Sequence, residues 1–159
     1  MKQGTLARWL KGAIVCLAVF GLVVFGVVIP CYGVTVASAN PEYAHCFWPW
    51  MTLMIVVALP CYLALGIGWK IAEDIRKDRS FSEANAKRMR NISNLAFGDV
   101  MVFIGGNILL LCLNMSHPGV FLLSLLPDMF GMAVAVCAAG LSHLIYKSAT
   151  LQTDADLTI

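Results

Sequence analysis

Charge is scarce in this sequence. Only 13% of its 159 residues are Asp, Glu, Lys or Arg, whereas 60% are apolar, and the mean hydropathy is +0.81. Soluble domains carry about a quarter charged residues, so a water-soluble globule and a disordered chain are both excluded. Six cysteines in a chain of this length are too thinly spread for a disulfide scaffold. The apolar–polar alternation over about ten residues that marks a membrane barrel strand is missing. P-loop, dinucleotide-binding, Ser/His/Asp and HExxH patterns are missing as well. The expectation is a protein that is not an enzyme and needs no cofactor and no metal.

What the chain has instead is long apolar runs. About 20 such residues cross roughly 30 Å of hydrocarbon as a helix. A lipid-exposed backbone must satisfy its own hydrogen bonds, which selects helices over open strands. Residues 12–31 and 47–69 contain no charge, 94–113 contain one acid (Asp99), and 119–146 contain Asp128 and His143. This predicts an all-α polytopic membrane protein, a single domain over residues 1–159 with four transmembrane helices in an antiparallel bundle. A connector (70–93) and a tail (147–159) lie on one side of the membrane, short loops (32–46 and 114–118) on the other.

All eleven Lys and Arg residues fall on the connector side: Lys2, Arg8 and Lys11 before the first span, seven in the connector, and Lys147 after the fourth. The positive-inside rule makes that side cytoplasmic, with both termini inside. Trp9 and Trp69 then mark the inner interface, Trp48 and Trp50 the outer, depths that amphipathic rings favour. A competing reading takes the N-terminus as a signal peptide cleaved after Ala37-Ser38-Ala39. The apolar run is longer than a usual signal h-region, so an uncleaved span is expected.

The connector KIAEDIRKDRSFSEANAKRMRNIS has seven basic and four acidic residues. Ser80 followed by Glu83 fits a capping box with a helix starting near Phe81, so the connector reads as two protruding helices that turn near Asp78–Ser82. Such a charged hairpin suits anionic headgroups or a cytoplasmic protein partner. Direct nucleic-acid binding is not expected, because no recognition module accompanies the charge.

Phe81-Ser82-Glu83-Ala84-Asn85-Ala86-Lys87-Arg88 ahead of a third apolar span resembles the signature of the bacterial membrane-protein family known as domain of unknown function 2975. Leu151-Gln152 and the closing Asp156-Leu157-Thr158-Ile159 are similar to that family's ending. The resemblance implies a multi-pass protein of the bacterial cytoplasmic membrane. Genes of that family often neighbour one for a small helix-turn-helix regulator, which implies a membrane-bound role with a regulatory partner. Because nearly all the distinctive polar sequence faces the cytoplasm, the hairpin residues Phe81, Ser82, Glu83, Asn85 and Arg88 are the expected docking surface.

Carboxylates inside spans cost about 2.5–3.5 kcal/mol on insertion scales and need an explanation. Counting from an outer turn centred near Ser116, Asp99 and Asp128 differ in depth by about 7–8 Å, which argues against a shared-proton dyad. Phe97-Gly98-Asp99 resembles part of the Gly-x-Gly-Asp of intramembrane aspartyl proteases, but Ala96 stands in place of the first glycine. The same counting puts Asp128 level with Gly105, Gly106 and Asn107. An Asn107–Asp128 contact is expected, with the glycines allowing close approach, as interhelical glue or as a proton- or ligand-binding site. Asp99 is expected to reach water or pair with a connector arginine. Glu42, His45, Cys46 and His117 share the outer side but lack the spacing of a zinc or copper site. Cys31 and Cys46 bracket the outer loop and could bond if the exterior is oxidising, a pairing the sequence leaves open, whereas Cys61 reads as a small packing residue.

The leading expectation is a regulatory or accessory membrane protein that contacts a cytoplasmic protein. The alternative is a small transporter or channel subunit using Asp128 and Asn107, as a homo-oligomer.

Overall fold

The computed structural model describes residues 3–156, with side chains to residue 152. Lys2 and the closing Leu157-Thr158-Ile159 lie outside the described residues. The protein is an all-α, four-span membrane bundle: α1 (Gln3–Ala39), α2 (Phe47–Arg76), α3 (Glu83–Cys112) and α4 (Pro118–Asp156). A short 3-10 helix (Pro41–Cys46) joins α1 to α2.

The helices are longer than the apolar runs that define them. α1 does not end at the expected start of the outer loop but continues to Ala39. It passes through a wide π turn over Val24–Val28 that ends two residues before Pro30. A proline inside a helix lacks an N–H and crowds the carbonyl four residues back, and a π turn there relieves both. Asn40 then folds its amide back onto the Val36 carbonyl, and Pro41 stops the helix. At the other end of the chain, the expected tail from Lys147 is a continuation of α4.

Both tight turns close in the same way. Asp78 and Asn114 each take a positive φ of 60°. Each donates its N–H three residues back, to Ile75 and Leu111, and the next residue bonds five back, Arg79 to Asp74 and Met115 to Leu110. This is the Schellman closure, with Asp and Asn in the left-handed position that glycine usually fills. The α3 cap differs from the expected capping box. Ser82, in extended conformation, accepts from Asn85 N–H at 3.2 Å, and the helix begins at Glu83 rather than near Phe81.

Packing runs in series. α1 lies on α2, α2 on α3, and α3 most closely on α4, with no close backbone approach of α1 to α3 or α4, nor of α2 to α4, among the described residues. The bundle is therefore an open row, and most apolar side chains of α1 face outward.

The α3–α4 seam is a heptad pattern in small residues. Ala86, Ser93, Val100 and Asn107 are buried on α3, and Asp128, Ala135, Ser142 and Ala149 on α4. Ser142 Oγ donates to Ala86 O and Ser93 Oγ to Ala135 O, each at 2.8 Å. A Cβ added at Gly131 would stand 2.6 Å from Val100 Cγ2. Residues seven apart on one helix thus meet residues seven apart on the other, running in opposite directions. Small side chains bring the backbones close, and the serines supply interhelical hydrogen bonds, the usual means of association where lipid offers no hydrophobic contrast.

Candidate functional site

At the charged end, the connector forms a latch. Asn85 is fully buried. Its Nδ2 donates to the carbonyls of Arg79 (3.0 Å) and Ser80 (3.4 Å), and its Oδ1 accepts from Arg88 at 2.8 Å. Arg88 also pairs with Asp74 at the end of α2. One side chain therefore ties the turn to α3, and its neighbour ties α3 to α2. Ala86 is buried against α4 through the Ser142 bond.

α1 joins the same end through Lys11, which pairs with Glu73 Oε2 at 2.5 Å and stands 4.8 Å over the Trp69 ring. Arg76 pairs with the other Glu73 oxygen. The Arg76 hydrogen bonds first, and the Lys11 bond second, hold the Glu73 carboxyl down at about 2, below the ordinary 4.5. The same partnership pushes the Arg76 guanidinium upward.

Of the expected partner-binding residues, Ser82, Asn85 and Arg88 thus have their polar groups engaged within the protein. Phe81 and Glu83 face outward, with Phe81 55% exposed. Lys77, Arg79, Lys87 and Arg90 are exposed around them. Sequence reasoning missed Glu73 and Asp74. Two adjacent acids at the end of an apolar span, within a basic segment, were the available signal for internal ion pairs.

The middle of the membrane contrasts with this. The α3–α4 register centres on Asn114, not Ser116, which overturns the depths expected from the loop. Asp128 stands across from Val100, so it is within about one residue, or 1.5 Å, of Asp99 in depth. Asn107 lies a heptad away, about 10 Å, and the expected Asn107–Asp128 contact does not form. Asn107 Nδ2 instead donates to Phe103 O on its own helix at 2.9 Å, which leaves Oδ1 buried without a partner. Gly106 faces Leu53 on α2, and Gly105 faces open space, so neither glycine serves the approach to α4.

Asp99 pairs with no connector arginine. Its Oδ2 accepts from Cys61 Sγ on α2 at 3.4 Å, and its Oδ1 is buried and unpartnered, as is Asp128 Oδ2. Cys61 is therefore a polar neighbour of a carboxylate and not only a packing residue. At the end remote from the connector, His117 Nδ1 accepts from Gly119 N–H and caps α4, while His45 and Cys46 contact each other at 3.4 Å. No three His, Cys, Asp or Glu side chains converge as a metal site among the described residues, and Cys31 and Cys46 are both free thiols.

Four long apolar helices in antiparallel succession define a polytopic helical membrane protein. Within that class, the chain belongs to the family described as "Protein of unknown function (DUF2975)", whose model matches residues 31–159. It is also similar to the "Uncharacterized membrane protein YoaS" of Bacillus subtilis (strain 168), 26% identical over 125 residues that cover 77% of this chain and 78% of the relative. No solved structure matches it.

Proposed function

We propose that the protein is a regulatory or accessory component of the bacterial cytoplasmic membrane, not an enzyme, and that its connector hairpin docks a cytoplasmic protein such as a helix-turn-helix regulator. The observation that carries this reading is Phe81. A large aromatic ring stands 55% exposed at the apex of a turn that buried polar bonds hold rigid. Exposed aromatic side chains on rigid supports make efficient binding anchors, because little freedom is lost on docking. The basic rim of Lys77, Arg79, Lys87 and Arg90 selects an acidic partner surface with an apolar pocket. The one-sided distribution of basic residues supports a cytoplasmic location for this rim.

A photo-crosslinking residue at position 81, in native membranes, tests the reading. A discrete adduct with a cytoplasmic protein is expected, and Lys87→Glu is expected to weaken it without changing thermal stability. Crosslinks to lipid alone, unaffected by Lys87→Glu, would contradict it.

A further inference from the structure

We propose that Cys61, Asp99 and Asp128 form a proton-binding site in the middle of the membrane. This goes beyond the docking function and does not depend on it.

Three helices bring the site together. Cys61 on α2 faces Asp99 on α3 at 3.4 Å, and the α3–α4 register sets Asp128 at the same level from the far side. The two carboxyl groups are near enough for the charge on one to act on the other. The level is remote from both ends. Twelve residues of α2 separate Cys61 from Glu73, and thirteen of α3 separate Asp99 from Cys112, about 18 and 20 Å at the helical rise.

The chemistry of the cluster is one-sided. Asp128 is 6% exposed, and its Oδ2 meets no donor; Asp99 Oδ1 is likewise buried without one. Ionised carboxylates only accept hydrogen bonds. Among the described residues, the single donor to either carboxyl is the weak Cys61 thiol. No Lys, Arg or His of α2, α3 or α4 among the described residues bonds to either carboxyl. Lys11, Arg76 and Arg88 are held in ion pairs at the charged end, and α1 does not reach α3 or α4. Tyr62, beside Cys61, turns its hydroxyl to the Ala18 carbonyl on α1.

Cys61 is exposed on the bundle surface and Asp99 is half-buried, but one carboxyl oxygen of Asp99 and one of Asp128 are buried acceptors without donors, which a positive ligand completes. A metal cation of the hard kind needs about six oxygen ligands, whereas the only helical carbonyls here that lose their usual donor are those four residues before Pro60 and Pro127. A proton needs only one acceptor oxygen. Taken from water onto a carboxylate, it creates an O–H donor and removes one buried charge in a single step. Ionisable groups facing the interior of a membrane bundle are the usual stations of proton relays.

Infrared spectroscopy of the full chain in alkyl-maltoside micelles, which carry no ester carbonyl, tests the proposal, because the carbonyl stretch of a protonated carboxyl is resolved from carboxylate bands. At neutral pH the wild-type protein is expected to show that stretch. Asp99→Asn or Asp128→Asn should alter it, and the double variant should lose it. Cys61→Ala should shift its frequency, since the thiol bond to Asp99 goes. Absence of the stretch from the wild-type protein overturns the proposal whether or not the variants fold. Its survival in the double variant overturns it as well. Loss of the stretch on adding sodium chloride, but not choline chloride, would assign the site to a metal cation instead. None of these outcomes bears on crosslinking at position 81.

Discussion

Two asparagines are the largest side chains that the fold buries completely, Asn85 at the charged end and Asn107 in the membrane. They lie on one helix, 22 residues apart in the sequence, yet are treated in opposite ways. Asn85 spends both ends of its amide, on two turn carbonyls and on Arg88. Asn107 spends only its N–H, within its own helix, and leaves an oxygen bare. The difference follows from what each region must do. A turn outside the bilayer has free carbonyls that need donors, and Asn85 supplies them. A helix in hydrocarbon has already paired its carbonyls, so a polar side chain there finds few partners. The charged end is built as a finished polar structure, whereas the middle leaves oxygens of Asp99, Asn107 and Asp128 buried without donors.

This contrast is most severely tested by truncation. Asn85→Ala should cost about 2–3 kcal/mol, because it strands two carbonyls and an arginine. Asn107→Ala should cost about 1 kcal/mol or less, since one bond is lost and a bare oxygen goes with it. Unfolding of the two variants in mixed micelles gives both values, and the reverse order would break the comparison.

Glycines sharpen it next. Gly131→Ala forces a methyl group against the stiff Val100 side chain and should cost about 1–3 kcal/mol. Gly105→Ala, which meets open space, should be neutral or slightly stabilising. Thermal denaturation of the two variants separates seam from lipid-facing surface.

Caps come third. Ser82→Ala should cost about 1 kcal/mol, and Ser80→Ala close to nothing, read as faster amide exchange in the first turn of α3 for Ser82 only.

The smallest effect is electrostatic. Glu73 is held at about 2 by Arg76 and Lys11, against 4.5 when free. Its contribution to stability is therefore fully present above about 4.5 and is lost as pH falls toward 2. In a variant whose other three tryptophans are replaced by phenylalanine, Trp69 emission should change near pH 2 as Lys11 is released from Glu73. Arg76→Gln should move that change upward.

The apolar runs made the four helices legible, since 20 uncharged residues have few alternatives in lipid. Their ends were harder to read. Helical continuation through Thr35, Ser38 and the residues after Lys147 depends on local propensity and capping, which apolarity does not report. The turn at the charged end was visible in its polar residues, but Ser80 and Ser82 compete as caps within two positions. Backbone conformation at Ser82 decides between them. The partnership of Asp128 failed for a related reason. Depth counted from Ser116 assumes a symmetric loop, and the Schellman closure at Asn114 moves the centre by two residues. That shift takes Asp128 from the level of Asn107 toward that of Asp99. Register between helices is set by which small residues meet, as Ser93 and Ala135 do, and a single sequence shows such pairs only once the seam is known.

The docking account stands most directly on which face of the membrane carries the hairpin. In a variant whose six cysteines are replaced, Phe81→Cys offers one thiol at the exposed apex for a membrane-impermeant maleimide. The account predicts no labelling of intact cytoplasmic membranes from outside, and full labelling once they are opened. Labelling of intact cells at the same rate would set the hairpin on the outer face and contradict it.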